Sequence, residues 1–585
     1  MTAYTPPLDD IRFVLTHVAD LSAIGRLPGY KAATPDLVGD ILEAAGRFAA
    51  NELAPLNQSG DRERVRLENG VVRTPDGFKQ AYAAFVAGGW NSLPFPEQWG
   101  GQGMPWTVAT AVSEMWHSAN MAFGLCPLLT QAGVELLLGF GTEDQKQRYL
   151  GRLVSGEWTG SMCLTEPHAG SDVGALKTRA ERAGDHYRIR GTKIFITYGE
   201  HDFTENIIHM VLARLPDAPP GTRGISLFLV PKFLVNDDGS LGRRNDLRCV
   251  SLEHKLGIHA SPTCVMSFGD DEGAIGYLVG EEQGGMRAMF TMMNFARVQV
   301  GLEGLAIAER AYQGAFAYAQ DRVQGTRRNG SETRPARIIE HPDVRRTLLA
   351  IRARIEAMRA LVYSAAACLD HALRAPDPDD RRRAAERLDL MTPLVKAWCS
   401  DLGFEIASEA LQVHGGMGYI EETGAAQHLR DARINMIYEG TNGIQALDLV
   451  GRKLALEGGR LPWDWFAELA GDLAALRAAG HTDLAASLGP ALETLQQATT
   501  WLQQGHADPD DAAAGATPYL RMFATTVGGF LLARSALAAK RAGDRLAEAK
   551  LASARFYAAQ LLPPASALLP AVTAGCAPLR QSLEG

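Results

Sequence analysis

Three stretches of the chain hold chemically capable residues in settings that need a reason. In "MIYEGTNGIQALDLVGRKL", beginning at Met436, the carboxylate of Glu439 follows an apolar, aromatic run and precedes a Gly-Thr-Asn turn that opens a helix. Two readings are open for it. A Glu near a helix N-terminus, with Asn442 as cap, is stabilised by the dipole by roughly 0.3–1 kcal/mol. A desolvated carboxylate is instead a strengthened base. The second stretch, "GSMCLTEPHAGSDVGALKT", runs from strand-like Ser161–Leu164 into the small-residue loop His168-Ala169-Gly170-Ser171-Asp172. Small residues let backbone approach a ligand, and consecutive N–H and hydroxyl donors suit ring carbonyls or phosphates. The alternative is an ordinary turn at the entrance to a β domain. In the third, "RIRGTKIFITYG", the period of a strand sets Phe195 and Thr197 on one face. That is either an aromatic platform beside a hydroxyl or a half-buried strand with a core Phe.

The elements that position these residues follow from changes of period. Apolar spacings of three and four predict helices over 36–55 and 105–155. From about 158 to 275, short β-branched and aromatic runs alternate with turns such as "PDAPPGTRG" and "NDDGSLGRRND", a β domain inserted between helical ones. Long helical patterns return from 284, one of them ending in a solvated linker, "RAPDPDDRRRAAE". A last Ala/Leu-rich helical block covers 461–585 and carries its own loop, "GHADPDDAAAGATP". The expected division is a helical domain 1–157, a β domain 158–278, a helical bundle 279–455 bearing Glu439, and a helical domain 456–585.

Composition narrows the class. With 585 residues, 46% hydrophobic and 21% charged, the chain reads as globular and multidomain. A net charge of -9 and a near-neutral final block argue against nucleic acid as a partner. Seven scattered cysteines without a C-x-x-C pair point to apolar fillers in a reducing compartment, with no disulfide framework and no metal site. No leader pattern and no apolar run of about 18 residues are visible, so a cytoplasmic protein without an integral membrane segment is expected. The fingerprints of Rossmann dehydrogenases, P-loop enzymes, zincins and serine hydrolases are all missing, so redox chemistry would need a cofactor on another scaffold.

Four stretches, "LTEPHAGSD" (164–172), "KIFITYG" (193–199), "QVHGGMGYI" (412–420) and "RDARINMIYEGTNGIQ" (430–445), together resemble the acyl-CoA dehydrogenase family in order and spacing, over roughly residues 40–455. The segment "PLDDIRFVL", the block 199–233 and the extra helical domain are similar to a longer branch, which includes 3-methylthiopropanoyl-CoA and broad-range fatty acyl-CoA dehydrogenases. The resemblance implies a mainly helical fold with an inserted β-barrel, a C-terminal four-helix bundle and an extra helical domain. It implies FAD held between the β domain and the bundle of a homodimer or homotetramer.

Carried over by position, Met162, Leu164 and Thr165 would line the flavin, and Ser171 would touch the diphosphate and the acyl-CoA. Phe195, Ile196 and Thr197 would lie behind the ring; the family more often has Trp at the first of these. Arg322, Gln324, Gln412, Gly415 and Gly416 would hold a neighbour's FAD, and Thr441 would reach it too. Gly443 stands where the family often has Gln. Asn294, Arg297 and Gly440 would face the substrate.

The implied reaction is α,β-desaturation of an acyl-CoA thioester, with electrons leaving to an electron-transfer flavoprotein. Removing an α-proton needs a base whose basicity desolvation raises, and FAD is the hydride acceptor. Glu439 is that base, collared by Met436, Ile437 and Tyr438, ionised at rest, and lone, because a paired carboxylate would be protonated. The family's alternative base position is Ala296, which cannot take a proton. Two other readings remain: an acyl-CoA oxidase using O₂, and a non-catalytic relative such as the alkylation-response flavoprotein. Acyl length stays open.

Overall fold

The structure, a computed structural model, describes residues 3–329, 331–505 and 508–582. It divides into two compact units. One comprises Phe48–Met104 and Ala119–Ala296; the other comprises the chain up to Arg47, Pro105–Ser118 and everything from Arg297 onward.

The first unit contains the β domain. Strand pairing runs from His186–Thr197 through Ala274–Leu278, Ile225–Pro231, Ile207–Arg214 and Arg179–Ala183, and back to His186–Thr197. That circuit closes a barrel through the single pair Arg179–Arg214. Thr159–Cys163 adds to it in parallel with Ile207–Arg214, and Thr263–Phe268 and Leu247–Leu252 extend it beyond His186–Thr197. Alternate residues of these strands (Ile189, Val211, Phe228, Met266) fill its core.

The second unit is helical. Gly285–Asp321, whose later part lies here, meets Pro342–Arg374 at the Glu309–Arg359 pair and Pro378–Val413 at Gly301 and Gly304. At Gly301, Gly304 and Gly403 a Cβ would overlap the backbone of Val395, Cys399 and Gly304, so two of these helices cross with almost no side chain between them. The final helices, chiefly Leu461–Ala478, Thr482–Gln503, Ala516–Ala542 and Ala547–Gln560, belong to the same unit. A buried charge network fastens them: Arg359 binds Asp10, Glu114 and Glu309, and Lys550 also binds Asp10.

The fold class is the expected one, with three local corrections. The segment taken as a solvated linker is mostly helix: Asp377 caps Pro378–Val413, Pro378 sits in its first turn, and Arg382 and Arg383 pair along its exposed face. In the loop expected at 505–518, His506 and Ala507 lie outside the described residues, and Pro509–Ala514 is helical. Two helices, Met121–Phe140 and Ala516–Ala542, are long and apolar enough to cross a membrane by length and composition. Yet 83% of each apolar window is buried within the protein, as in core helices.

Candidate active site

Glu439 lies between a short 3-10 turn, Arg433–Met436, and the helix Asn442–Gly451. Its φ is +57° and that of Gly440 is +81°, so two successive residues are left-handed. For a Glu this carries strain of about 1–3 kcal/mol. At Gly440 the left-handed setting and Gln445 Nε2, 2.8 Å from where a Cβ would stand, both call for glycine. Arg297 Nε donates to the Glu439 carbonyl at 3.4 Å. Gln445 Nε2 donates to the same carbonyl at 3.3 Å and to that of Gly440 at 3.4 Å. The backbone is therefore pinned on its helix side.

The helix is capped by Thr441, whose Oγ1 accepts from Ile444 N, and not by Asn442. Asn442 is instead the hub of a partly buried polar group. It accepts from Lys396 Nζ at 2.8 Å and donates to Asp401 Oδ1 at 2.6 Å and Ser400 Oγ at 3.0 Å.

The acid is not lone. Glu303, fully buried on the helix Gly285–Asp321, lies with both carboxyl oxygens 2.6 Å from the Tyr438 hydroxyl. Lys396, also fully buried, is within electrostatic reach of both carboxylates. Burial pushes Glu439 up to about 7, against the pull of Arg297 and Lys396. Burial likewise pushes Lys396 down to about 7, opposed by Glu439, Asp401 and Glu303. Ile437, expected in the apolar collar, is 47% exposed. Desolvation at Glu439 thus comes with a polar, charged surround, and the sequence showed no sign of it.

The other candidates in this unit are open to solvent. Arg322 reaches Gln324 Oε1 at 3.3 Å in the exposed hairpin that starts at Val323. Gln412, Gly415 and Gly416 are exposed, and a Cβ on either glycine would meet nothing within 4 Å. Beside them a cavity of about 250 Å³ is lined by Arg310, Tyr318, Asp321, His414 and His428.

In the barrel unit, Glu166 is buried and fixes the loop that carries Thr165 and Ser171. It accepts from Lys193 Nζ at 2.8 Å, from the Thr178 hydroxyl and N–H, and from Lys177 N. Lys193 also donates to the Leu164 carbonyl, and the Thr165 carbonyl accepts from Ile194 N. Leu164 is buried, Met162 and Thr165 are partly buried, and Ser171 is exposed. Phe195 sits at a bulge against Thr263–Phe268 with φ +59°, and its ring is 58% exposed. A bulky residue held left-handed and presented to solvent is the strained, open geometry typical of a ligand platform. Thr197 is partly buried, whereas the Ile196 side chain belongs to the barrel core and leaves only its backbone for a ligand. Met162 packs against Leu128, Leu129 and Ala296. Asn294 is partly buried on the helix Gly285–Asp321.

Models of the acyl-CoA dehydrogenase N-terminal, middle and C-terminal domains match residues 39–157, 161–270 and 283–454. A model described as acetyl-CoA dehydrogenase C-terminal like matches 465–581. The chain is similar to a 3-methylmercaptopropionyl-CoA dehydrogenase of Ruegeria pomeroyi, 46% identical over 580 residues, covering 96% of this chain and 97% of that one. It is similar to the broad-specificity linear acyl-CoA dehydrogenase FadE5 of Mycobacterium tuberculosis, 35% identical over 566 residues and 90% of each chain. Among solved structures, Caenorhabditis elegans ACDH-11 in complex with C11-CoA shares the fold, with a TM-score of 0.77 at 21% identity over 95% of this chain and 91% of that one.

Proposed function

Because the chain belongs to the acyl-CoA dehydrogenase family, we propose that it desaturates an acyl-CoA thioester to the trans-2-enoyl-CoA, with Glu439 as the base for the α-proton and FAD as cofactor. One observation carries this: a strained, pinned Glu439 whose carboxylate burial raises to about 7. A base of that strength is half ionised at neutral pH and still holds a proton firmly once it has one, which is the compromise general-base catalysis favours.

The residues present fit FAD by their chemistry. The exposed Phe195 ring and the Thr165 and Thr197 hydroxyls suit a flat heterocycle with a polar rim. Arg322, Gln324, Gln412 and the open Gly415–Gly416 turn suit a dinucleotide's phosphates and adenine. Thr441 Oγ1 accepts from the cap, which leaves its hydroxyl proton to donate. When bound, FAD supplies the acceptor for the β-hydride. The chain's own part is to desolvate and hold Glu439, to let its carboxylate take the α-proton, and to set Arg297 and Asn294 toward the substrate.

Ser171 and Gly440 complete the substrate contacts in this reading. An electron-transfer flavoprotein as acceptor, a homodimer or homotetramer, a cytoplasmic setting and the four-part division at 157, 278 and 455 are inferred from the family. The Ruegeria relative's name makes a methylthio-substituted short acyl-CoA the first substrate to try, with straight-chain thioesters beside it.

The test is direct. Purified protein should be yellow with FAD, and one of these thioesters should bleach it without oxygen and leave the enoyl-CoA. A colourless protein that FAD cannot reconstitute, or a flavin that no acyl-CoA reduces, overturns the proposal. Reoxidation by air, compared with an artificial acceptor, separates a dehydrogenase from an oxidase.

A further inference from the structure

Glu303 is a fully buried carboxyl group with an unusually thin supply of donors. Other buried acids of this chain are well supplied. Glu166 receives an ammonium, a hydroxyl and two backbone N–H groups, and Glu114 receives the Arg359 guanidinium and the Tyr363 hydroxyl. Glu303 has the Tyr438 hydroxyl, 2.6 Å from each of its oxygens. A phenol has one proton, so it donates to one of the two. The second short contact becomes a bond when the carboxyl group is itself protonated and donates back to the phenol oxygen.

The one opposing positive charge is weakened: Lys396, on the helix Pro378–Val413, directs its Nζ to Asn442 Oδ1, and burial holds it down to about 7. His117, on the helix Trp106–Ala119, has Nε2 4.0 Å from Glu303 Oε1, but its Nδ1–H donates to the Ser113 carbonyl, so Nε2 carries a lone pair. Burial holds that ring down to about 4, so it is neutral. Arg297, on the same helix as Glu303, is directed to the Glu439 carbonyl. The remaining charge facing Glu303 is Glu439, which opposes its ionisation.

Tyr438 immediately precedes Glu439. The helix side of the left-handed pair is tied by Arg297 and Gln445; on the other side the side-chain tie is the Tyr438 hydroxyl, beside the backbone bonds of Ile437 and Tyr438 N–H to the Ile434 carbonyl. We propose that Glu303 is a positioning residue: as a neutral acid it anchors Tyr438, fixes the strained backbone at Glu439, and leaves to Glu439 the negative charge that Arg297 and Lys396 face. This rests on the reading of Glu439 as the base. Burial pushes Glu303 up to about 8, with the Tyr438 bond and Lys396 pulling the other way. Above that pH a second negative charge appears beside Glu439, one of the two short bonds is lost, and the developing enolate is opposed.

The experiment follows substrate-driven flavin bleaching by anaerobic stopped flow, across neutral and alkaline pH, with the thioester found active. The parent rate should rise through about 7 and fall beyond about 8. Glu303→Gln keeps a donor and an acceptor for Tyr438 but cannot ionise, so its rate should rise as before and then stay level. Tyr438→Phe removes one oxygen and should slow bleaching by ~10-fold or more, through misplacement of the base, with flavin content and substrate affinity held. A parent without an alkaline fall, an alkaline fall that persists in Glu303→Gln (which would assign it to Lys396), or a Tyr438→Phe rate equal to the parent's overturns the inference. Should Glu303→Gln not fold, Tyr438→Phe decides alone. A Glu439→Gln control separates the two levels: if it still bleaches, the base is elsewhere; if it does not, while the other variants are silent, this inference alone fails.

Discussion

Replacing Glu439 with Gln is the most informative single change, because the structure says what it leaves intact. The ties at this residue, from Arg297 and Gln445, go to its carbonyl, and Gln presents the same carbonyl at the same left-handed φ. Neither the turn nor the Thr441 cap depends on the carboxylate. What disappears is a base raised from 4.5 to about 7, roughly 3 kcal/mol of proton affinity. An amide cannot take the α-proton, so the loss should reach at least the ~10²–10⁴-fold of a missing general base. The assay is flavin bleaching by saturating acyl-CoA without oxygen, beside flavin content and thioester affinity, both of which should persist. The parent's pH profile supplies the sign. Glu439 is raised, so below about 7 it is protonated and cannot act, and the rate should rise with pH through that value. Bleaching within a few-fold of the parent would refute the reasoning and return Glu439 to a helix-start acid.

Arg322→Ala should lower FAD affinity and the oligomer together, since this exposed guanidinium is available to a neighbour's phosphates; unchanged FAD retention on gel filtration would remove that role. Glu166→Gln should destabilise the barrel unit by about 3 kcal/mol, because the fully buried Lys193 ammonium loses its counter-charge; an unfolding midpoint in urea equal to the parent's would show the pair to be dispensable.

The fold was legible where period alone decides structure. Alternation marked the strands between Thr159 and Leu278, and spacing of three and four marked the long helices. It failed where charge density hid a helix. The run after Asp377 reads as solvated because its Asp and Arg residues are all polar, yet their spacing lets them pair along one face of Pro378–Val413. It also failed at Phe195, where strict alternation takes no account of a bulge and its positive φ.

At the proposed site, the local sequence offers Glu439, its turn and the glycine after it, and the structure gives that glycine the left-handed φ that favours it. The cap is Thr441 and not the expected Asn442, because both residue types are capable of it and only geometry chooses. Glu303 and Lys396 could not have been found this way. They lie far from Glu439 in sequence, on helices whose apolar patterns give no hint of an ionisable core. What brings them together is the crossing at Gly301, Gly304 and Gly403, which removes the side chains that would otherwise hold the helices apart. Glu303 lies within that crossing and Lys396 one residue past Val395, so close approach and the buried charge cluster are consequences of the same glycines. A larger residue at Gly304 would then do more than loosen packing. It would move Glu303 relative to Tyr438 and so disturb Glu439, although neither residue had been touched.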